Sequence, residues 1–131
     1  MKLRFTAALI GVLAVSGCVA AYGPVTERKP LALTVAQVEQ IKTAVGRDLR
    51  DPMSAQYQRI QARRIGYQNG VERVVVCGAV NAKNAYGGYV GFMAFGGELG
   101  SDGQFTLIGI DTRALGYYDS NCRVNYGMTV L

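Results

Sequence analysis

Three thiols, at Cys18, Cys77 and Cys122, are the strongest nucleophiles in a 131-residue chain that contains no His and no Trp. Without imidazole the chain lacks the commonest general base and metal ligand, and with it most catalytic triads and nearly every zinc-hydrolase pattern. Acid–base chemistry would fall to Glu72, Glu98, Asp102 and Asp111. These carboxylates lie in predicted turns or near predicted strand ends, and no spacing makes two of them converge. Nor does a Cys-x-x-Cys pair exist to lower a thiol pKa for redox work. No catalytic residue, metal site or cofactor is expected. What remains is surface chemistry: from Asn81 to Tyr89 the amides of Asn81 and Asn84 and the ammonium of Lys83 alternate with the rings of Tyr86 and Tyr89. Flat aromatic faces beside amides suit glycan strands and protein surfaces alike. Gly87-Gly88 inside this stretch has neither P-loop nor dinucleotide spacing, so it is not a phosphate loop.

The formal charge is +5, of which Lys2 and Arg4 at the start of the chain supply two. The other basic side chains are scattered rather than gathered into a stripe, which speaks against nucleic acid as a partner. Met1 to Arg4 is followed by the small and apolar run Phe5 to Val15 and then by Val15-Ser16-Gly17-Cys18. That is the layout of a signal peptide over residues 1–17, too short for a permanent membrane span. Its last four residues resemble a lipobox, the recognition sequence of bacterial lipoproteins. The resemblance implies a diacylglycerol on the Cys18 thiol, cleavage just before it, and acylation of the new amine. Each buried methylene contributes about 0.8 kcal/mol, so two or three acyl chains make a stable anchor. The membrane is thus an expected partner, reached through the lipid. Val19, rather than Asp, follows the cysteine, and by analogy with Gram-negative lipoproteins the expected destination in the cell envelope is the outer membrane.

The elements that must position the polar loop are legible from periodicity. Residues 18–32 carry Gly23-Pro24, Pro30 and mixed charges with no hydrophobic period, and read as a flexible tether after the lipidated cysteine. A single domain should fill residues 33–131. Thr34 stands three residues before Gln37, a capping box, with Leu33 and Val38 placed for a hydrophobic staple. Val35, Val38, Ile41, Val45 and Leu49 then recur on one helical face, and Pro52 sets the end near Arg50. Gly46 weakens this helix by about 1 kcal/mol relative to Ala. Strands are expected over Tyr57 to Ile65, Val71 to Val80, Tyr89 to Phe95 and Gln104 to Ile110. Asn69-Gly70 makes a tight hairpin turn between the first two, and a turn-rich Gly96 to Gly103 lies between the last two. The expected class is α+β, one N-terminal helix packed on an antiparallel sheet of about four strands. The stretch from Thr112 to Leu131 gives no clear assignment.

With Cys18 taken by lipid, Cys77 and Cys122 remain in an oxidising compartment, which reads as one structural disulfide. Closing about 45 residues contributes about 4 kcal/mol on the chain-entropy view. Two blocks, Asp51-Pro52-Met53-Ser54-Ala55-Gln56-Tyr57 and Cys77 through Phe92, carry a further resemblance. The chain resembles a family of small, uncharacterised proteobacterial exported proteins with Asp-Pro-x-Ser-Ala-Gln and Cys-Gly-x-Val-Asn-Ala-Lys-Asn blocks and often a Cys near the end. The resemblance spans roughly residues 48–95 and brings no established activity; here the chain continues past Cys122.

The second block admits two readings. In one, Asn81, Asn84 and Gly87-Gly88 are simply what a hairpin connection needs. In the other, Asn81, Lys83, Asn84, Tyr86 and Tyr89 form a recognition surface. The functions weighed accordingly are a non-catalytic binding module for an envelope protein or glycan, a structural lipoprotein of an envelope assembly, and, least, an enzyme.

Overall fold

The structure is a computed structural model that describes residues 22–110, 122–123 and 127–130. Five strands, β1 (Val25–Leu31), β2 (Gln56–Tyr67), β3 (Glu72–Asn81), β4 (Met93–Leu99) and β5 (Phe105–Ile110), form one antiparallel sheet in sequence order. The helix α1 (Val35–Gly46) is inserted between β1 and β2. The α+β class is as expected, with one strand more and with the helix second in order. The leader, Cys18, Val19 and Asp111 lie outside the described residues.

The extra strand comes from the segment assigned to the tether. Val25 to Leu31 pairs with β2 from Val25↔Tyr67 to Leu31↔Ala62. It shows no apolar alternation because five of its seven residues are exposed at the sheet edge. Its charges and Pro30 are what an edge strand carries to discourage further pairing.

The capping box forms as the sequence predicts: Gln37 N–H donates to Thr34 Oγ1 at 3.2 Å and Thr34 N–H to Gln37 Oε1 at 2.9 Å. Ile41 and Val45 are fully buried, whereas Val35 in the first turn is 82 % exposed and leaves the expected apolar face. The helix stops at Gly46, short of Arg50. Glycine is the weakest helix former in the run, and the next amides, of Asp48 and Leu49, bond back three residues to Val45 and Gly46. Pro52 sets only the outer limit.

The strand β3 is central and buried from Val75 through Val80. Its side chains alternate between two apolar layers. Val76 and Val80 pack with Ile41, Val45, Ala62, Phe95, Leu99 and Phe105 on the helix side. Val75, Cys77 and Ala79 pack with Ile65, Ala94, Cys122, Met128 and Val130 on the other. Both faces being covered explains a run of β-branched residues rather than an apolar–polar alternation. Cys77 and Cys122 are joined in a disulfide with their Cα atoms 6.1 Å apart, which fastens the C-terminal residues to the middle of β3. Gln61 Nε2 donates to the Thr129 carbonyl at 3.1 Å on the same side.

Two boundaries differ from expectation. The β2–β3 connection is a three-residue loop, closed by Gly70 N–H to Tyr67 O and Tyr67 N–H to Val71 O, with Gly70 at φ 81°. This is a common alternative to the two-residue turn. The fourth strand starts at Met93 instead of Tyr89 and runs through Gly96-Gly97, residues that composition assigns to a turn. A Cβ on Gly97 would fall on the Thr106 carbonyl oxygen and the Phe105 ring, and one on Gly78 would fall on the Phe95 ring. These glycines are therefore receptacles for aromatic side chains within the sheet. The turn contracts to Gly100–Gly103.

Candidate functional site

Both blocks singled out in the sequence meet at one end of the sheet. After α1 the chain makes a short 3-10 turn, Pro52–Ser54, capped by Asp51, whose Oδ1 accepts Ser54 N–H at 3.3 Å. The Ser54 hydroxyl donates to the Asp51 carbonyl and accepts Lys83 N–H, each at 2.9 Å. The Ser54 carbonyl in turn accepts the Tyr89 hydroxyl at 3.1 Å. One serine thus joins the first block to both limbs of the loop between β3 and β4.

Within that loop the two asparagines act on the backbone. Asn81 Oδ1 accepts Gly91 N–H at 3.0 Å, and Asn84 Oδ1 accepts Tyr86 N–H at 2.9 Å and Gly88 N–H at 3.1 Å. Asn84 N–H donates to Gly88 O, and Gly87 N–H to Asn84 O, with Gly87 at φ 81° as the turn requires. Lys83 and Tyr89 form an isolated bridge, and the Lys83 ammonium lies 5.6 Å from the centre of the Tyr89 ring, within range of a cation–π contact.

Of the five residues proposed as contacts, Asn81, Asn84 and Tyr89 therefore commit polar atoms to holding the loop, and Lys83 leans on Tyr89. Tyr86 stands free at 96 % exposure. The structure adds neighbours that the sequence reading missed. Met53, in the short turn held by Ser54, is 95 % exposed, and Val90 and Phe92 are exposed as well. The signal was present in the first block, where an apolar residue follows Pro52 in a segment that cannot be helical core. Beside the loop lies a cleft of about 230 Å³ with Leu49, Ala82, Val90, Met93 and Ile110 in its walls, and Arg50 among its charged residues.

Beneath this end, Tyr57 packs edge-on against Phe95 with ring centres 6.4 Å apart, and its hydroxyl donates to the Lys42 carbonyl at 2.9 Å. Burial pushes the Tyr57 hydroxyl above its ordinary pKa near 10, and the negative charge of Glu39 adds to the shift. A neutral hydroxyl is what the hydrogen bond to Lys42 requires.

The described carboxylates among those considered for catalysis, Glu72, Glu98 and Asp102, are elsewhere. Glu98 pairs with Arg73, whose Nε lies 3.1 Å from Oε2, and Glu72 lies 3.9 Å from Arg64. Asp102 Oδ1 accepts Gln104 N–H at 3.0 Å in the β4–β5 turn. Among the described residues, no group of three His, Cys, Asp or Glu is placed to hold a metal ion, and no helix is long and apolar enough to cross a membrane. Comparison with protein-family models, with curated proteins and with solved structures finds no match for this chain.

Proposed function

We propose that this protein is a lipid-anchored envelope protein, held through Cys18, that binds another protein through the tip formed by the Pro52–Ser54 turn and the loop from Ala82 to Phe92. It acts without catalysis. The observation that carries this reading is the pairing of full exposure with a fixed frame: Tyr86 and Met53 are almost wholly in solvent, yet the backbone on either side of them is tied by Ser54, Asn81 and Asn84. Exposed aromatic and Met side chains are enriched at protein interfaces. A backbone already ordered loses less entropy on binding. Protein is preferred to glycan because the amide oxygens of Asn81 and Asn84 turn inward to backbone N–H groups. What the tip then presents, through Met53, Tyr86, Val90 and Phe92, is largely apolar. The lipobox and the resemblance to small exported proteins support the anchor and the compartment in the same proposal.

A photocrosslinking side chain at Tyr86 in cells tests it, with Val35, exposed on α1, as the control position. A discrete protease-sensitive adduct is expected at Tyr86 and none at Val35. Tyr86→Ala and Lys83→Ala should shift stability by no more than about 0.5 kcal/mol, while recovery of that adduct's partner from a crosslinker at Met53 falls. Equal adducts at both positions, or retention on isolated cell-wall sacculi instead, would count against a protein partner.

A further inference from the structure

The end of the sheet opposite the tip carries a second set of contacts. From Tyr22 onward the chain is fastened to the β2–β3 hairpin, opposite the tip. The Tyr22 ring packs on Tyr67 with centres 5.3 Å apart, the Arg73 guanidinium lies 5.4 Å from the centre of the Tyr22 ring, and the Pro24 carbonyl accepts Gln68 N–H at 3.0 Å. Residues 19–21 alone separate Cys18 from this fastened end. The four steps from Cys18 to Tyr22 reach at most about 14 Å even fully extended. A tether running to residue 32 would reach about 50 Å.

We infer that the hairpin end of the sheet, with Tyr22, Val71 and Gln68 outermost, lies against the lipid surface that holds the anchor, so that the sheet stands upright and the Tyr86 tip points away from that bilayer. The inference rests on lipidation of Cys18. The chemistry of this end fits a headgroup region. Tyr22 is 42 % exposed and Val71 36 %, and a tyrosine with an apolar body and a polar rim suits the interface between lipid and water. Carboxylates here are matched by cations, Glu72 by Arg64, Glu98 by Arg73 and Glu27 by Lys29. Asp102, in the neighbouring turn, has its carboxylate on a backbone N–H. The end therefore brings little net negative charge to an anionic surface. Along β3 the two ends are about 30 Å apart at about 3.3 Å per residue, more than twice the greatest reach of the four steps from Cys18 to Tyr22. The tip's partner is then met in the aqueous space beyond the bilayer and is not the bilayer itself.

The absence of Trp makes the test clean. The mature lipidated chain carrying Val71→Trp, or Tyr86→Trp, is reconstituted in vesicles of phosphatidylethanolamine and phosphatidylglycerol containing a shallow spin-labelled lipid quencher. Most indole emission should be lost in the Val71→Trp protein and retained in the Tyr86→Trp protein. Gln68→Trp serves as a second probe of the same turn should Val71→Trp fail to fold. Equal quenching at the two ends would mean that the sheet lies flat, and no quenching at either would mean that the domain stands clear; each overturns the orientation. Intact mass of the same preparation reports the acyl chains. A chain without them overturns the anchor and the orientation together, whereas a lipidated chain with equal quenching overturns the orientation alone.

Discussion

The two ends of the sheet close their turns by different means. At the hairpin end the turn closes on itself: Gly70 supplies the positive φ and Asn69 Oδ1 accepts Val71 N–H at 3.1 Å, with one backbone brace from outside, Gln68 N–H to the Pro24 carbonyl. At the tip the loop from Ala82 to Phe92 is held by Ser54, 29 residues before the Lys83 amide it accepts. The difference shows what displaying apolar side chains demands. Tyr86 and Met53 gain nothing from burial, so the backbone that carries them is ordered by polar bonds underneath, from Asn81 and Asn84 nearby and from Ser54 in a separate segment.

The comparison can be broken at three places. Replacing both Cys77 and Cys122 with Ser should have the largest effect, because the bridge fastens the C-terminal residues to the middle of β3, which serves both ends. Loss of about 2–5 kcal/mol in unfolding free energy is expected, with amide exchange rising at Gly70 and Gly88 together. Faster exchange at one end only would mean that the ends are stabilised separately.

Ser54→Ala should sharpen the contrast. It removes the acceptor for Lys83 N–H and the donor to Asp51 O, at a cost of about 1–3 kcal/mol. Exchange should quicken from Lys83 to Gly91 and stay unchanged at Gly70 and Val71. A uniform increase across the sheet would show that Ser54 supports the whole domain and not the tip.

The smallest effect is expected at Tyr57. Because its pKa is raised in the folded state, the native chain keeps a proton that the unfolded chain releases near pH 10, so this part of the stability is complete below about pH 10 and is lost as pH rises beyond it. Tyr57→Phe should cost about 0.5–1.5 kcal/mol at neutral pH through the lost bond to Lys42 and should flatten the alkaline decline. Urea melts from about pH 8 to about pH 11 measure both. A variant with the wild-type alkaline slope would assign that slope to other groups.

How much of this was legible in the sequence depended on how local the cause was. Thr34 and Gln37 are three residues apart and satisfy each other, so the helix start could be read directly. The β-branched run of β3 and the Asn69-Gly70 turn are likewise self-contained signals. The first strand is not legible because an edge strand with five exposed residues lacks the alternation that identifies a strand. Gly96-Gly97 reads as a turn because glycine usually weakens a strand; here the Thr106 carbonyl and the Phe105 ring on the neighbouring strand fill the space that a side chain at Gly97 would take. The polar loop itself is legible in the sequence, but composition cannot say which of its polar groups face inward. Asn81 and Asn84 look the same as solvent contacts or as backbone braces, and only the positions of Gly91, Tyr86 and Gly88 decide between them.

The glycine receptacles also bear on how this sequence can drift. Phe95 sits directly opposite Gly78 in the β3–β4 ladder, and Phe105 fills the place of a side chain at Gly97. Strand alignment is thus encoded twice, once in hydrogen bonds that any sequence can make and once in volumes that only these pairs share. A larger residue at Gly78 needs a smaller one at Phe95, whereas at Gly97 the Thr106 carbonyl bars a side chain whatever the size of residue 105. Among diverging descendants Gly97 would stay fixed while the positions of Gly78 and Phe95 moved together, so covariation between those two columns would report the alignment of the strands even after the residues themselves had changed.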